Sequence, residues 1–423
     1  KMHSASNIPH EPNTNLPAAA TIRGQVSIPV IASGRVEPAE ANKRIAAGEF
    51  DFLAMGRKLL ADPALPQKLA SDRESEVRPC VYCYTCVSAI YTRESMRCAV
   101  NPELGLEYQR PQAPSPAARR RVVVVGGGPG GMEAARRLDQ AGHEVFVLER
   151  GDRLGGTLRF AALAYAANER LLDWLRGRIE SSAVEVRLNC EAVPELVQSL
   201  QPDHVVVATG ARRDMPDIPG GDQDHVYSGD DMRRMMLGEN SAELQRKTSR
   251  LTRLATKVGA ATGLTANLEF VRKTTRSWMP LGANIAIIGG ELVGLELAEF
   301  LAERGRRVAV IDEPPRMGEG LTVVRRMRLL AELREHGLEL YPGSKEIRIE
   351  AGSVCFIDSE GAAQTVPADH VIVAKGATGD STPANALRAA GMTVHELGDC
   401  LGVGYIEGAM RGAMRVVDEI NAG

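Results

Sequence analysis

Arg121-Val-Val-Val-Val-Gly126-Gly-Gly-Pro-Gly-Gly131-Met-Glu-Ala-Ala135 decides the fold of this 423-residue chain. Four consecutive valines predict a strand buried on both faces, as in a parallel sheet. Gly126-x-Gly128-x-x-Gly131 then turns the chain into a helix that opens at Met132. Each glycine has a separate task in a dinucleotide fingerprint. Gly126 permits the turn, Gly128 lets a pyrophosphate approach the backbone, and Gly131 lets the helix pack against the strand. Glu149 ends the next strand eighteen residues after Gly131, where a carboxylate can accept hydrogen bonds from a ribose.

The design recurs roughly 160 residues later, which signals duplicated domains rather than a solenoid. Ile285-Ala286-Ile287-Ile288 runs into Gly289-Gly290-Glu291-Leu292-Val293-Gly294, and Asp312 follows Gly294 by eighteen residues. Here Glu291 replaces the middle glycine and would bring a negative charge toward the pyrophosphate. The unit is therefore read either as a nicotinamide dinucleotide site or as a scaffold that retains the fold alone. Asp312 would repel a 2′-phosphate and so predicts NADH over NADPH, whereas Arg306, Arg307 and Arg316 argue the other way. Val205-Val206-Val207-Ala208-Thr209-Gly210 closes the first unit, and Leu397-Gly398-Asp399-Cys400 returns near the C-terminus. A Gly-Asp at a strand end can hydrogen-bond a flavin's ribityl chain, and the helix start after it can face a phosphate or the ring.

Ahead of the first fingerprint stands Cys80-x2-Cys83-x2-Cys86-x11-Cys98. Three close thiolates and one distant one suit an iron–sulfur cubane. The competing reading is a four-cysteine zinc site, which usually pairs two knuckles. Cys190, Cys355 and Cys400 are scattered, so the seven cysteines form no disulfide framework and imply a reducing compartment. A cytoplasmic location is expected, since Lys1-Met2-His3 carries no signal-peptide pattern and no apolar run reaches the ~18 residues needed to span a bilayer. A net charge of −3 and 4% aromatic residues argue against nucleic acid as a partner.

Residues 22–70 read as β-α-β-α, with strands ending at Ser33-Gly34-Arg35 and Met55-Gly56-Arg57, as in the last turns of a TIM barrel. Residues 111–118 form a linker, and Arg119 to Arg121 a short basic strand entry. Residues 231–280 read as helical, with Leu244, Leu251, Leu254 and Val258 at helical steps. That segment carries ten Lys or Arg against four acids, a solvated brace or a docking face for an acidic partner or CoA phosphates.

In this order the motifs resemble the iron–sulfur branch of the old yellow enzyme superfamily, the 2,4-dienoyl-CoA reductase and trimethylamine dehydrogenase group. The resemblance implies an α/β chain. Residues 1–70 would be the end of an FMN-binding TIM barrel and residues 71–110 the [4Fe–4S] loop. Residues 119–225 and 376–423 would form the FAD domain, 226–280 a helical insertion and 281–375 the NAD(P) domain. Gly34, Arg35, Gly56 and Arg57 would hold the FMN phosphate. Cys80, Cys83, Cys86 and Cys98 would hold the cluster. Gly126, Gly128, Gly131, Glu149, Thr209, Gly210, Gly398 and Asp399 would hold FAD, and Gly289, Gly294 and Asp312 NADH or NADPH.

Electrons would pass from NAD(P)H to FAD, to the cluster, and on to FMN for reduction of an activated C=C bond in an enoyl-CoA or enoate. The alternatives are an electron-transfer subunit serving a separate FMN barrel, an amine dehydrogenase running in the opposite direction, and an assembly protein that keeps the cofactor folds for structure. A typical barrel needs about 250 residues, and only about 70 precede the cysteine loop. Either further barrel sequence or a partner subunit supplies most contacts to the flavin ring and the small-molecule substrate, or the barrel has been lost; an oligomer is expected. His3 and His10 fall where the family carries a loop after the sixth strand, and neither is given a role.

Overall fold

The computed structural model describes residues 12–109, 118–239, 242–248, 252–254, 258–259 and 262–423, with the side chains of 242 and 243 left aside. His3, His10, most of the 111–118 linker, and Arg250, Leu251 and Lys257 of the basic segment lie outside those residues. The chain divides into two compact units, residues 1–82 and 83–423.

The smaller unit pairs Ile31–Ser33 with Phe52–Ala54 as parallel strands. Helices Leu16–Arg23 and Pro38–Ala46 pack beside them, and Arg57–Ala61 and Leu65–Ala70 follow. Pro38 opens its helix at the first turn, where the missing N–H costs nothing. A small core forms from Leu16, Ala32, Val36, Ala41 and Phe50. The opposite face stays open. Ile31 and Phe52 are register partners, yet they are 64% and 58% exposed.

The larger unit holds two five-stranded parallel sheets. The first runs in the order Val394–Glu396, His204–Val207, Arg121–Val125, Glu144–Leu148, Glu185–Arg187. Val122, Val123 and Val124 are wholly buried, as an unalternating apolar strand requires. The second runs Glu339–Tyr341, Arg307–Ile311, Asn284–Ile288, His370–Val373, Val226–Ser228. In both, the strand before the fingerprint lies in the middle and the order reverses around it, which opens a crevice at the carboxyl ends. A three-stranded antiparallel meander, residues 345–367, covers one face of the second sheet.

The segment 226–280 does not begin as a helix. Val226–Ser228 pairs with Val371–Val373 as the outermost strand of the second sheet, because Val226 and Tyr227 bury against it. The helix Gly229–Leu237 starts only after Ser228, whose hydroxyl accepts from the Asp231 N–H while the Asp231 carboxylate accepts from the Ser228 N–H. Among the described residues, several of the basic side chains that follow are held in ion pairs. Arg233 meets Asp230 and Glu239, Lys247 meets Asp231 at 2.8 Å with both side chains 3% exposed, and Arg272 meets Glu169. These pairs favour the brace over a docking face.

Candidate functional site

The first fingerprint is built as its glycines predict. Gly126 takes φ +107°, and a Cβ there would lie 2.6 Å from the Ala208 carbonyl oxygen at the end of the neighbouring strand. A Cβ on Gly131 would lie 1.9 Å from the Gly126 oxygen, so the helix Pro129–Gln140 can only sit here with glycine. At Gly128 a Cβ would meet nothing within 4 Å. The space is left open over the helix start, where exposed N–H groups favour an anion.

Glu149 does more than face a ribose. Its two oxygens accept from the Gly127 and Gly151 N–H groups, each at 2.7 Å, and so lock the glycine loop. Each oxygen keeps a second lone pair for a hydroxyl. Gly155 and Gly156 close against the same loop, with Gly155 N–H donating to Gly127 at 2.8 Å. From the other side, Gly130 sits against Leu397 and Ala409, which lets the C-terminal helix Tyr405–Ala422 approach. Asp399 is fixed by the Gly404 and Tyr405 N–H groups, both on Oδ1 at 2.9 and 3.1 Å. Burial raises its pKa, against the pull of those amides and of Arg213. Thr209 and Gly210 follow Ala208 at the edge of the same crevice, with Gly210 at φ +79°. The FAD residues named from the sequence in this unit therefore converge. Cys400 is a buried thiol that donates to backbone carbonyls of Leu397 and Val207, and burial pushes its pKa up.

The second fingerprint repeats this geometry. Gly289 takes φ +120°, and its Cβ would lie 2.8 Å from the Ala374 oxygen; a Cβ on Gly294 would lie 1.9 Å from the Gly289 oxygen. Glu291 has φ −80° and ψ −173°, against −72° and −178° at Gly128. A carboxylate thus enters at the point the first unit leaves open. It is exposed and acts on Tyr405 at the start of the C-terminal helix. Burial first, then the charges of Glu291 and Asp399, push that phenol up to about 12.

Asp312 is where the sequence places it, but it is 2% exposed and its Oδ1 lies 2.9 Å from the Lys375 ammonium. Lys375 also meets Glu313 at 2.7 Å. A cavity of about 440 Å³ opens beside it at the carboxyl end of the sheet. Arg307 stands at the amino end of its strand, bound to Asn284, and Arg306 binds the Met279 carbonyl. Both are a strand's length from Asp312, roughly 16 Å for five residues, too far to meet a ribose phosphate. Arg316 is exposed on the loop after Asp312. Sequence reasoning missed Lys375, although an internal alignment reveals it. Val205-Val-Val-Ala-Thr209-Gly210 and Val371-Ile-Val-Ala-Lys375-Gly376 are the same element, with lysine in place of threonine.

In the smaller unit, Gly34-Arg35 and Gly56-Arg57 end the two parallel strands as expected. Both guanidinium groups gather on an aromatic ring that the sequence did not flag. Arg35 lies 3.9 Å from the Tyr82 centroid and Arg57 lies 5.1 Å from it. Glu37 meets Lys58 at 2.6 Å and accepts from the Tyr82 hydroxyl at 3.5 Å. Tyr82 also donates its N–H to the Cys80 sulfur at 3.4 Å.

In the larger unit, Cys86 lies in the helix Thr85–Thr92, where Ser88 accepts the Val324 N–H and so caps the helix Val323–Glu335. Cys98 is carried toward the first fingerprint. Glu103 pairs with Arg137 of the fingerprint helix at 2.9 Å, and Arg97 with Glu407 of the C-terminal helix at 3.5 Å. Cys80, Cys86 and Cys98 are buried and Cys83 half-buried. The donor chemistry suits iron. Yet among the described residues no three Cys, His, Asp or Glu groups are gathered closely enough to hold a metal.

Comparison with known proteins accords with this layout. Residues 120–401 match the pyridine nucleotide-disulphide oxidoreductase family, and residues 3–76 the NADH:flavin oxidoreductase / NADH oxidase family. Bilirubin reductase of Mediterraneibacter gnavus is 33% identical over 90% of this chain and 53% of its own length. NADH oxidase of Thermoanaerobacter brockii is 30% identical over 95% of this chain and 57% of its own. The chain spans about half the length of these curated relatives. A solved structure of 2-naphthoyl-CoA reductase with 2-naphthoyl-CoA shares the fold, with a TM-score of 0.82 at 24% identity over 97% of this chain and 57% of that one. Among the described residues no helix is long and apolar enough to cross a membrane.

Proposed function

This chain belongs to the pyridine nucleotide-disulphide oxidoreductase family and carries an NADH:flavin oxidoreductase segment ahead of it, and from that premise we propose that it takes reducing equivalents from NAD(P)H onto FAD for reduction of an activated C=C bond. One observation carries the reading. The first fingerprint leaves an unfilled space at Gly128 over a helix start, with the glycine loop held by Glu149.

The chain's own residues divide the work. Gly126 to Gly131 present N–H groups to a pyrophosphate, Glu149 accepts from a ribose while holding the loop, and Asp399 accepts from a ribityl hydroxyl. Tyr405, a phenol held protonated well past neutral pH, keeps a proton to donate in a hydrogen bond, and its oxygen can also accept one. Arg35 and Arg57 are proposed to meet an FMN phosphate, and Cys80, Cys83, Cys86 and Cys98 to hold a [4Fe–4S] cluster; spacing and thiol chemistry support the latter. When bound, flavin supplies conversion between a hydride and single electrons, and a cluster one-electron transfer. The exposed Ile31 and Phe52 support a further barrel segment or partner subunit covering that face.

The test is anaerobic. NADH added to the purified chain should bleach FAD and support reduction of an artificial dye, with four irons per chain. Enoate reduction should require added barrel sequence. Absence of flavin would overturn the reading, and stoichiometric zinc without iron would remove the cluster from it.

A further inference from the structure

The second unit places a cation where its sequence promised only an acid. Lys375 follows the strand His370–Val373, at the position Thr209 holds in the first unit. Its ammonium bridges Asp312 at 2.9 Å and Glu313 at 2.7 Å. Its Cγ is 2.9 Å from where a Cβ on Gly289 would lie, so it is packed against the fingerprint turn itself. Burial opposes its charge, but hydrogen bonds to the two carboxylates outweigh burial and hold the amine above the ordinary lysine range. Beside it lies the 440 Å³ cavity, lined also by Asp217, Ile288, Glu313, Glu346 and Arg348.

We infer that Lys375 sets the nucleotide selectivity of the second unit, cancelling the repulsion of Asp312 so that a 2′-phosphorylated dinucleotide is accepted alongside NADH. The inference rests on the proposed nicotinamide site. An unpaired acid at the ribose position rejects a 2′-phosphate through like charge at close range. Here the acid is buried and ion-paired to a lysine that it shares with Glu313 and that lines the cavity. The lysine needs only a small rotation to exchange a carboxylate for a phosphate, because an ammonium is a point charge on a flexible stem. Glu313, with a side chain 69% exposed, is the partner that yields.

The experiment titrates NAD+ and NADP+ by calorimetry into the FAD-loaded chain, and so reads binding without turnover. The wild-type protein should bind both within about tenfold of each other. Lys375→Met should weaken NADP+ about tenfold more than NAD+, since one cation is lost beside a phosphate, and Lys375→Arg should restore the ratio. Glu313→Gln changes an exposed side chain, is safe for folding, and should shift the ratio several-fold toward NADP+. Equal effects on both nucleotides in Lys375→Met, or no shift in Glu313→Gln, would overturn the role of Lys375. Failure of the wild-type chain to bind either nucleotide would instead remove the nicotinamide site, and the selectivity with it.

Discussion

The two fingerprints share a backbone and differ in charge. Gly126 and Gly289 make the same turn against a strand-end carbonyl, and Gly131 and Gly294 the same helix approach at 1.9 Å. Around that frame the first unit places Gly128, Glu149 and Thr209, and the second Glu291, Asp312 and Lys375. In the first, the strand-end acid accepts the Gly127 and Gly151 N–H groups and stiffens an open anion cradle. In the second, a carboxylate stands in the cradle and a lysine occupies the acid. The fingerprint helices repeat the contrast. Glu133 and Glu296 both follow the last glycine by two residues. Glu133 is fully buried between Arg136 and Arg137 of its own helix, whereas Glu296 depends on Arg325 from another helix, 3.3 Å away. Backbone geometry fixes that a dinucleotide-type fold forms; the side chains over it decide what is held and how tightly.

The shared frame is tested by the largest effect. Gly131→Ala and Gly294→Ala each drive a Cβ into a backbone carbonyl that cannot swing away, and should each destabilise the chain by about 3 kcal/mol. Thermal melting that moves for one and not the other would break the equivalence.

The helix contrast comes next. Arg325→Met leaves Glu296 and Glu299 buried without their cation, and should cost about 3 kcal/mol. Double substitution with Glu296→Gln should recover much of that loss. The open and filled cradles are separated by Glu291→Gly, which removes a negative charge from the pyrophosphate's path. Nicotinamide dinucleotide affinity should rise about tenfold, read by titration, with FAD content unchanged.

The smallest effect is one of pH. Burial, reinforced by Glu332, Glu296 and Glu303 and opposed by Arg325, pushes Glu299 up to about 7. Its folded pKa exceeds the ordinary 4.5, so the native state holds a proton the unfolded chain has released. Its stabilising share is full below about pH 4.5 and is lost as pH rises through about 7. Melting temperatures of the wild-type chain and Glu299→Gln should therefore diverge by a few degrees between pH 5 and pH 8, estimated at about 3 °C. Parallel curves would show that Glu299 does not titrate there.

Local patterns in the sequence were legible where one residue type has one physical use. The valine run, both glycine turns and the acids at Glu149 and Asp312 are such cases, since nothing else fits a 1.9 Å approach or ends a parallel strand in that way. Long-range pairing was not legible. Arg306 and Arg307 are close to Asp312 in sequence but lie at the opposite end of the strand, while Lys375, sixty-three residues on, reaches it. Tyr82 was read as part of the cysteine loop, and only the fold brings Arg35 and Arg57 onto its ring. The strand Val226–Ser228 is not legible either, because three residues are too few for a periodicity signal.

The division between the two fingerprints is tested most directly by counting FAD per chain in the purified protein, in Gly128→Val and in Glu291→Val. The wild-type chain should carry one FAD, Gly128→Val less than about a tenth of that because the side chain fills the pyrophosphate's approach, and Glu291→Val one. Full FAD in Gly128→Val, or its loss in Glu291→Val, would contradict the account and move the flavin out of the first unit.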